Sequence, residues 1–463
     1  TLIILSCSKN ELKNKLGGYG MNKILKKLIT LGMITIIGSS FIGCGRNTSI
    51  NASNENNAKQ DGKIVVEYWY GLGGKLGENM ESIISDFNKS QDKYIVKGVA
   101  QEDYDTTFKN LQAAIAGNKT PALALLESDK VKILSDKDLL SDLSKCTTND
   151  SDYNDENYLE SFMDIVKKED KLIGFPAYGT TQLLYYDKKS FEDAGVNPEE
   201  IKTWMDLAKA ATKLTKKDGD EVKFYGWEPM WGPDNLVDAS LSNGGSLLSE
   251  DGKTVTINSD EWVEVWESFR KWIHDDKTMK IHSSGQGWEY WYATIDDVVK
   301  GKAAGYTGSS GDQGDLDFTK LGAMEQPAFK EGKEAKPVAE GRYFSVPAGV
   351  NEEQVQGAYE FIKYFTNPEV SAKWSIASGY ISVNKLSADT DAFKDYISKN
   401  PQAAFPTSQA SHASSVFSDP TDGKIYDALK VAADKVEIEN VSAKEALDEA
   451  QKIAQKALYS TNK

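Results

Sequence analysis

The chain has 463 residues, with 54 lysines and arginines against 70 aspartates and glutamates, a net charge of −16, and only three cysteines and three histidines. That acidity argues against nucleic acid and against an electrostatic hold on anionic lipid. The length exceeds what one hydrophobic core organises, so two lobes are expected.

Residues 1–20 start at Thr1. Leu16-Gly17-Gly18 can be encoded TTA-GGA-GGT, which holds a ribosome-binding sequence a short step before Met21. Residues 1–20 are therefore read as translated leader, with the native start at Met21. Lys23, Lys26 and Lys27 then precede an apolar run that ends in Phe41-Ile42-Gly43-Cys44. A basic region, an apolar segment of about 15 residues and small residues at its end describe a secretory signal peptide over 21–43. The run is short of the roughly 20 residues that a permanent span needs. A small residue followed by cysteine at this place resembles the lipobox of bacterial lipoproteins, although Phe41 stands where that pattern usually has leucine. The resemblance implies lipidation of Cys44 and cleavage before it. Two acyl chains hold a protein on a membrane, whereas one is marginal. Gly45 to Asp61 is rich in Asn and Ser and nearly free of apolar residues. Residues 44–61 are read as a disordered tether spanning on the order of 20–25 Å. Cys146 is left without a partner, so no intramolecular disulfide is expected.

The folded part is placed at 62–463. Lys63–Tyr70 is strand-like, and Gly77–Ser90 has Met80, Ile83, Ile84 and Phe87 at helical spacing. Tyr94–Val99 predicts a strand, Tyr104–Ala116 a helix and Ala122–Leu126 a strand. Such alternation implies an α/β sheet with right-handed crossovers. Helices are predicted at Thr203–Thr215, Glu261–Asp275, Ala293–Gly301, Glu352–Thr366, Pro368–Gly379 and Ser442–Tyr459. Ser442 and Glu445 would form a capping box on the last. Leu248–Asn258 reads as a turn leading into a strand. Trp262, Trp266 and Trp272 fall at helical spacing and read as packing. "WEPMWG" (Trp227–Gly232) and "GWEYWY" (Gly287–Tyr292) do not, and aromatic rings of that kind suit the faces of a sugar.

"EYWYGLGGKLGENMESIISDFNKSQDKYIVKG" (Glu67–Gly98) resembles the opening of family 1 extracellular solute-binding proteins, the lipoprotein or periplasmic receptors of ABC importers. Matches continue in order through "GNKTPALALLES", "GFPAYGTTQLLYYDKKSFEDAGV", "AAGYTGSS", "YEFIKYFTNPEVSAKWSIASGYISVNK" and "SAKEALDEAQKIAQKAL", so the likeness spans about Lys63 to Leu458. It is nearest to the branch that binds glycerol 3-phosphate and glycerophosphodiesters, with sugar binders nearby. The resemblance implies a two-lobe periplasmic-binding-protein-like fold (type II), with hinge strands and a central ligand cleft. "TTQLLYYDK" is expected to make the first crossing. Lobe 1 is expected over about 62–178 and 303–345, and lobe 2 over about 179–302 and 346–463.

The family's ligand contacts carry over by motif to Tyr104, Glu127, Trp231, Ser309, Ser310, Gly341 and Tyr380. Tyr104 and Glu127 would come from the first lobe, Trp231 and Tyr380 from the second. Thr180 falls at the hinge, where the phosphate-binding branch has serine. That branch also carries an arginine in the segment matching Gln409–Gly423, and none stands there. A bidentate arginine is the usual way to hold phosphate. Arg342, in "EGRYFSVP", is the candidate substitute; without it a neutral carbohydrate is the better reading, with glycerol 3-phosphate or a glycerophosphodiester as the alternative. The expected partners are a sugar-like solute, ABC permease subunits and the membrane through Cys44, with no nucleic acid and a monomeric chain. The expected location is the extracellular face of the cytoplasmic membrane of a Gram-positive-type bacterium.

A secreted carbohydrate-active enzyme is the reading from another class. No G-x-S-x-G motif is present. His274, His282 and His412 lack metal-like spacing with Cys or Asp. "DSDYNDEN" lacks the glycine and distal glutamate of a calcium loop. "GSSGDQG" has no following lysine and carries Asp312 and Asp315, which would repel phosphate. No catalytic residue, cofactor or metal is expected.

Overall fold

The computed structural model describes residues 59–414 and 416–461. Cys44, the signal segment, the leader and most of the tether lie outside the described residues. Lys59–Gln60 pairs antiparallel with Lys63–Ile64 across Asp61 and Gly62. Both turn residues have positive φ, 51° and 80°, the backbone of a tight primed hairpin, for which Asp-Gly is a preferred pair. Residues 59–61, inside the stretch expected to be tether, therefore belong to this hairpin.

The first elements follow the hydrophobic pattern: β1 (Lys63–Tyr70), α1 (Gly74–Ser90), β2 (Tyr94–Ala100), α2 (Tyr104–Ala116), β3 (Leu123–Glu127) and α3 (Ser128–Asp136). Helix α1 buries Met80, Ile83, Ile84 and Phe87. Asp103 starts α2 by accepting from the Thr106 N–H at 2.7 Å, which satisfies one free amide of the first turn. Strand β1 is parallel to both β2 and β3.

The 13-residue strand β4 (Phe175–Asp187) joins the two halves of the fold. It is followed by α4 (Trp204–Leu214), β5 (Glu228–Pro229), α5 (Pro233–Ser242), α6 (Asp260–Arg270), α7 (Glu289–Val299), β6 (Gly305–Ser309), β7 (Leu321–Met324) and β8 (Ala339–Ser345). Then come α8 (Glu352–Phe365), α9 (Pro368–Ser378), β9 (Ile381–Ser382), α10 (Lys424–Glu437) and α11 (Ala443–Thr461). The N-terminal half of β4 pairs with β8 and β9, and its C-terminal half with β6 and β7. One sheet thus runs β1-β3-β8-β4-β6-β5 through both lobes.

Two main cores lie on either side of this strand. One gathers Val66, Tyr68, Leu111, Tyr178, Phe344, Phe361 and Trp374. The other gathers Trp204, Trp227, Trp262, Trp266, Leu429 and Leu447, with Leu183, Tyr185 and Tyr306 beside it. Trp262, Trp266 and Trp272 are buried, as their spacing suggested.

The packing divides differently from the expected boundaries. Residues 303–329 stay with the second core, because β6 and β7 pair with the far half of β4. Residues 346–381 join the first, where Phe361 and Phe365 close on Phe344. Tyr380 is accordingly a first-lobe residue. At Leu248–Asn258 a single bridge, Leu248 to Val255, replaces the expected strand. Only the Ser442 half of the capping box forms, the Glu445 N–H donating to Ser442 Oγ at 3.3 Å. Among the described residues, no helix is long and apolar enough to cross a membrane.

Candidate functional site

A cleft of about 900 Å³ opens between the two cores. Its first wall is set by topology. Gly71 follows β1, Asp103 and Tyr104 follow β2, and Glu127 ends β3. The carboxyl ends of parallel strands are where open α/β sheets hold ligands.

Strand register builds the charged floor. Arg342 on β8 lies opposite Glu127 on β3 and opposite Tyr178 on β4. Glu340, two residues before Arg342, shares its face of the strand. The guanidinium contacts Glu340 at 2.6 Å and Glu127 at 3.3 Å, and it lies 4.7 Å from the Tyr104 ring centroid. Burial works against its charge, but Glu340 and Glu127 outweigh burial and keep it cationic. Burial also raises both carboxyls, against the pull of Arg342. Tyr104 Oη and Tyr178 Oη are 2.9 Å apart. Tyr178 stacks on Tyr380 at 4.5 Å and 19°. Gly311 lets Tyr380 lie there, since a Cβ on it would sit 2.3 Å from the Tyr380 ring. Gly379, at φ 83°, caps α9 in the left-handed region, the usual glycine ending of a helix.

The hinge is hydroxyl-rich. Thr180 Oγ1 lies 2.9 Å from Ser309 Oγ and 3.4 Å from Ser310 Oγ. Thr180 and Ser309 line the cleft. Ser310 is fully buried behind them and supports Thr180. Gly341 also lies behind the lining, with the Tyr343 ring against its Cα.

The second wall is aromatic. Trp231 donates from Nε1 to Asp434 Oδ1 at 2.9 Å, and the Gly232 N–H donates to Glu437 Oε2 at 3.1 Å. Trp231 meets Tyr290 edge-on at 4.9 Å and 87°. The series continues from Tyr290 to Trp291 at 74°, Trp291 to Trp288 at 87° and Trp288 to Tyr104 at 81°. The last step crosses from one lobe to the other. Trp291 Nε1 donates to Asp312 Oδ1 at 2.8 Å. Burial pushes the Asp312 carboxyl up to about 8, with the Trp291 bond opposing.

Seven of the nine expected ligand residues therefore line one cleft: Tyr104, Glu127, Thr180, Trp231, Ser309, Arg342 and Tyr380. Four more lining residues, Trp288, Tyr290, Trp291 and Tyr292, belong to the "GWEYWY" stretch that stood out for its aromatics but was not among the carried-over ligand contacts. Lys130, Lys430, Glu340 and Asp434 also line it and had no local signal.

Away from the cleft, the fold gathers one group that sequence spacing did not reveal. His282 Nε2 lies 3.0 Å from Asp297 and 3.5 Å from Glu228, with metal-type ligand atoms within 4.8 Å of one another. The Lys280 ammonium stands 2.6 Å from Asp297 and 3.6 Å from Glu228. It already takes the place a cation would fill.

Comparisons with known proteins agree with this architecture. The family model for bacterial extracellular solute-binding proteins matches residues 82–404. The sn-glycerol-3-phosphate-binding periplasmic protein UgpB of Yersinia pestis is 23% identical over 358 residues, 74% of this chain and 80% of that protein. The crystal structure of UgpB from Mycobacterium tuberculosis in complex with glycerophosphocholine superposes with a TM-score of 0.77 at 18% identity, covering 87% of this chain and all of that one. The GacH receptor of Streptomyces glaucescens, solved unliganded and with acarbose, superposes with a TM-score of 0.74 at 19% identity, covering 85% of this chain and 98% of that one. With a family match over most of its length, two lobes around a hinge strand and a lined cleft between them, the chain belongs to the bacterial extracellular solute-binding proteins, the ligand-capturing components of ABC importers.

Proposed function

We propose that this receptor captures a carbohydrate in its interlobe cleft and delivers it to an ABC permease, held at the outer face of the cytoplasmic membrane by lipid on Cys44. The observation that carries the ligand class is the state of Arg342. Its guanidinium is engaged by Glu340 and Glu127 and stacked on Tyr104. A phosphate would have to displace two carboxylates to reach it. A sugar needs no free cation: it takes aromatic faces for its C–H surfaces, and carboxylate and hydroxyl oxygens for its hydroxyls. Tyr104, Trp231 and Tyr380 supply faces, and Glu127, Thr180 and Ser309 supply oxygens.

The ligand acts by touching both lobes. It favours the closed arrangement by its differential affinity for it. Residues of the chain bind and orient the solute and do no covalent chemistry.

A second reading, a receptor for glycerol 3-phosphate or a glycerophosphodiester, is favoured by the similarity to UgpB. Lys130, Arg342 and Lys430 are the groups that would meet phosphate. Each already contacts a carboxylate, at 2.8, 2.6 and 3.2 Å respectively.

A tryptophan-fluorescence and thermal-shift titration separates the readings. The panel is mono- and oligosaccharides beside glycerol 3-phosphate and glycerophosphocholine. A saturable response to a saccharide, lost in Trp231→Ala, is expected. A response to the phosphorylated ligands alone refutes the carbohydrate reading. The lipid is tested separately: mass spectrometry of the membrane-extracted protein is expected to find an acylated Cys44 as the first residue, and an uncleaved chain refutes it.

A further inference from the structure

Trp227 and Trp231 stand four residues apart and are held in different ways. Trp227 is fully buried in the second core, and its Nε1 donates to Thr307 Oγ1 at 2.9 Å. Trp231 is half-buried, lines the cleft and stands outside both main cores. Its aromatic neighbour Tyr290 meets it edge-on. A ring open to the cleft keeps rotamer freedom that core packing would remove, and ordering such a side chain on binding costs affinity.

Two carboxylates of α10 supply what packing does not. Asp434 and Glu437 are three residues apart and share a helix face. Asp434 Oδ1 accepts from Trp231 Nε1 at 2.9 Å, which fixes the ring at its edge. Glu437 Oε2 accepts from the Gly232 N–H at 3.1 Å, which fixes the backbone beside the ring. Gly232 has φ 109° and ψ −178° and precedes α5, a backbone that glycine alone adopts readily. Glu437 is 2% exposed, and its Oε1 has no hydrogen-bond partner among the described residues. Burying a carboxyl in that state is costly. Its one bond goes to the residue that follows Trp231.

We propose that Asp434 and Glu437 are positioning residues of the cleft, which hold the Trp231 ring in its solute-ready orientation before the solute arrives. The inference rests on Trp231 meeting the solute, as the carbohydrate reading has it, and deepens that reading. Side chains locked by such supporting bonds are what give a site its precision.

The test is a double-mutant cycle on the full chain, read by isothermal titration calorimetry with maltotriose and glucose as saccharide probes and glycerophosphocholine beside them. Asp434→Ala and Glu437→Ala are each expected to weaken binding about three- to tenfold, the effect of returning one side chain's freedom. Asp434→Asn keeps an oxygen for the indole and is expected to restore the affinity. In Trp231→Ala, adding Asp434→Ala is expected to cost nothing further. Losses that add instead mean that Asp434 meets the solute directly, and overturn the inference. A loss from Trp231→Ala with none from Asp434→Ala or Glu437→Ala also overturns it and leaves the carbohydrate reading standing. Binding of glycerophosphocholine alone fails that reading, and the same cycle on that ligand then decides the inference separately. A readout without ligand completes the test. The indole N–H signal of Trp231 in a proton–nitrogen correlation spectrum, assigned by its absence from Trp231→Ala, is expected to shift in Asp434→Ala and to return in Asp434→Asn. A signal that stays in place in Asp434→Ala overturns the inference whatever binds.

Discussion

Replacing Arg342 by methionine removes one cation from between two carboxylates and leaves a side chain of similar reach. The guanidinium is 10% exposed, and Glu127 and Glu340 are 24% and 32% exposed. Breaking a buried pair by removing one partner costs about 3–5 kcal/mol, because the remaining charge is stranded. Partial hydration of the two carboxylates puts the expected loss near the low end, about 3 kcal/mol. The pH dependence identifies the cause. Burial already raises both carboxyls with Arg342 present, and losing the cation raises them further. A carboxyl whose folded pKa exceeds its unfolded value costs stability at high pH. That cost is absent below the unfolded pKa and grows as pH rises through the folded one. Urea unfolding should therefore show Arg342→Met least destabilised near pH 4.5 and most destabilised near pH 8. Adding Glu127→Gln and Glu340→Gln should restore most of the loss at pH 8. A loss below about 1 kcal/mol, the size of an exposed pair, or one that does not change with pH, refutes the stranded-charge argument.

Asp312→Asn keeps an oxygen to accept from Trp291 and removes a carboxyl held at about 8. The parent should lose stability relative to this variant as pH rises from about 4 to about 8; a thermal midpoint difference that is flat with pH refutes it. Gly311→Ala puts a Cβ 2.3 Å from the Tyr380 ring, so it should cost about 1–3 kcal/mol in urea unfolding and weaken solute binding. Unchanged binding would show that Tyr380 does not matter to the ligand. Cys146 is 8% exposed and burial raises its thiol; peptide mapping after thiol alkylation should find it modified far more slowly in the native chain than in urea, and equal rates would contradict its burial.

Local pattern carried the elements well, and long-range pairing carried what was missed. Lys63–Tyr70 and Tyr104–Ala116 were legible to the residue because period and caps are local properties. The assignment of 303–329 and 346–381 to lobes was not. It depends on which half of β4 each later strand joins, and strand register leaves no local trace. The same holds at the site. Tyr104, Trp231 and Tyr380 were accessible through motif position, but the pairing of Arg342 with Glu127 arises only from the register of β8 on β3. Glu340 was equally invisible, although its spacing from Arg342 fixes the face it shares. The aromatics of "GWEYWY" were conspicuous. What distinguished them from the core tryptophans at 262 and 266 was where their helix docks, with Trp288 reaching Tyr104 across the cleft.

Contacts between the lobes bear on how the solute controls closure. Lys430 on α10 reaches Asp105 on α2 at 3.2 Å, with both side chains more than 40% exposed. Such a pair is worth about 0–1 kcal/mol. Trp288 contributes more, with its ring against Tyr104 and Nε1 donating to the Gly71 carbonyl at 3.3 Å. Moving a two-state equilibrium from 1:99 to 99:1 takes about 5.5 kcal/mol, far beyond what the ion pair supplies. The solute must provide most of it through contacts made to both lobes at once. Lys430→Ala should therefore weaken solute binding by less than about fivefold. Trp288→Ala should weaken it far more, because it removes a cleft-lining ring and an interlobe contact together. Equal effects from the two substitutions would mean that closure is governed by charge across the cleft, and the aromatic wall would lose its place in the mechanism.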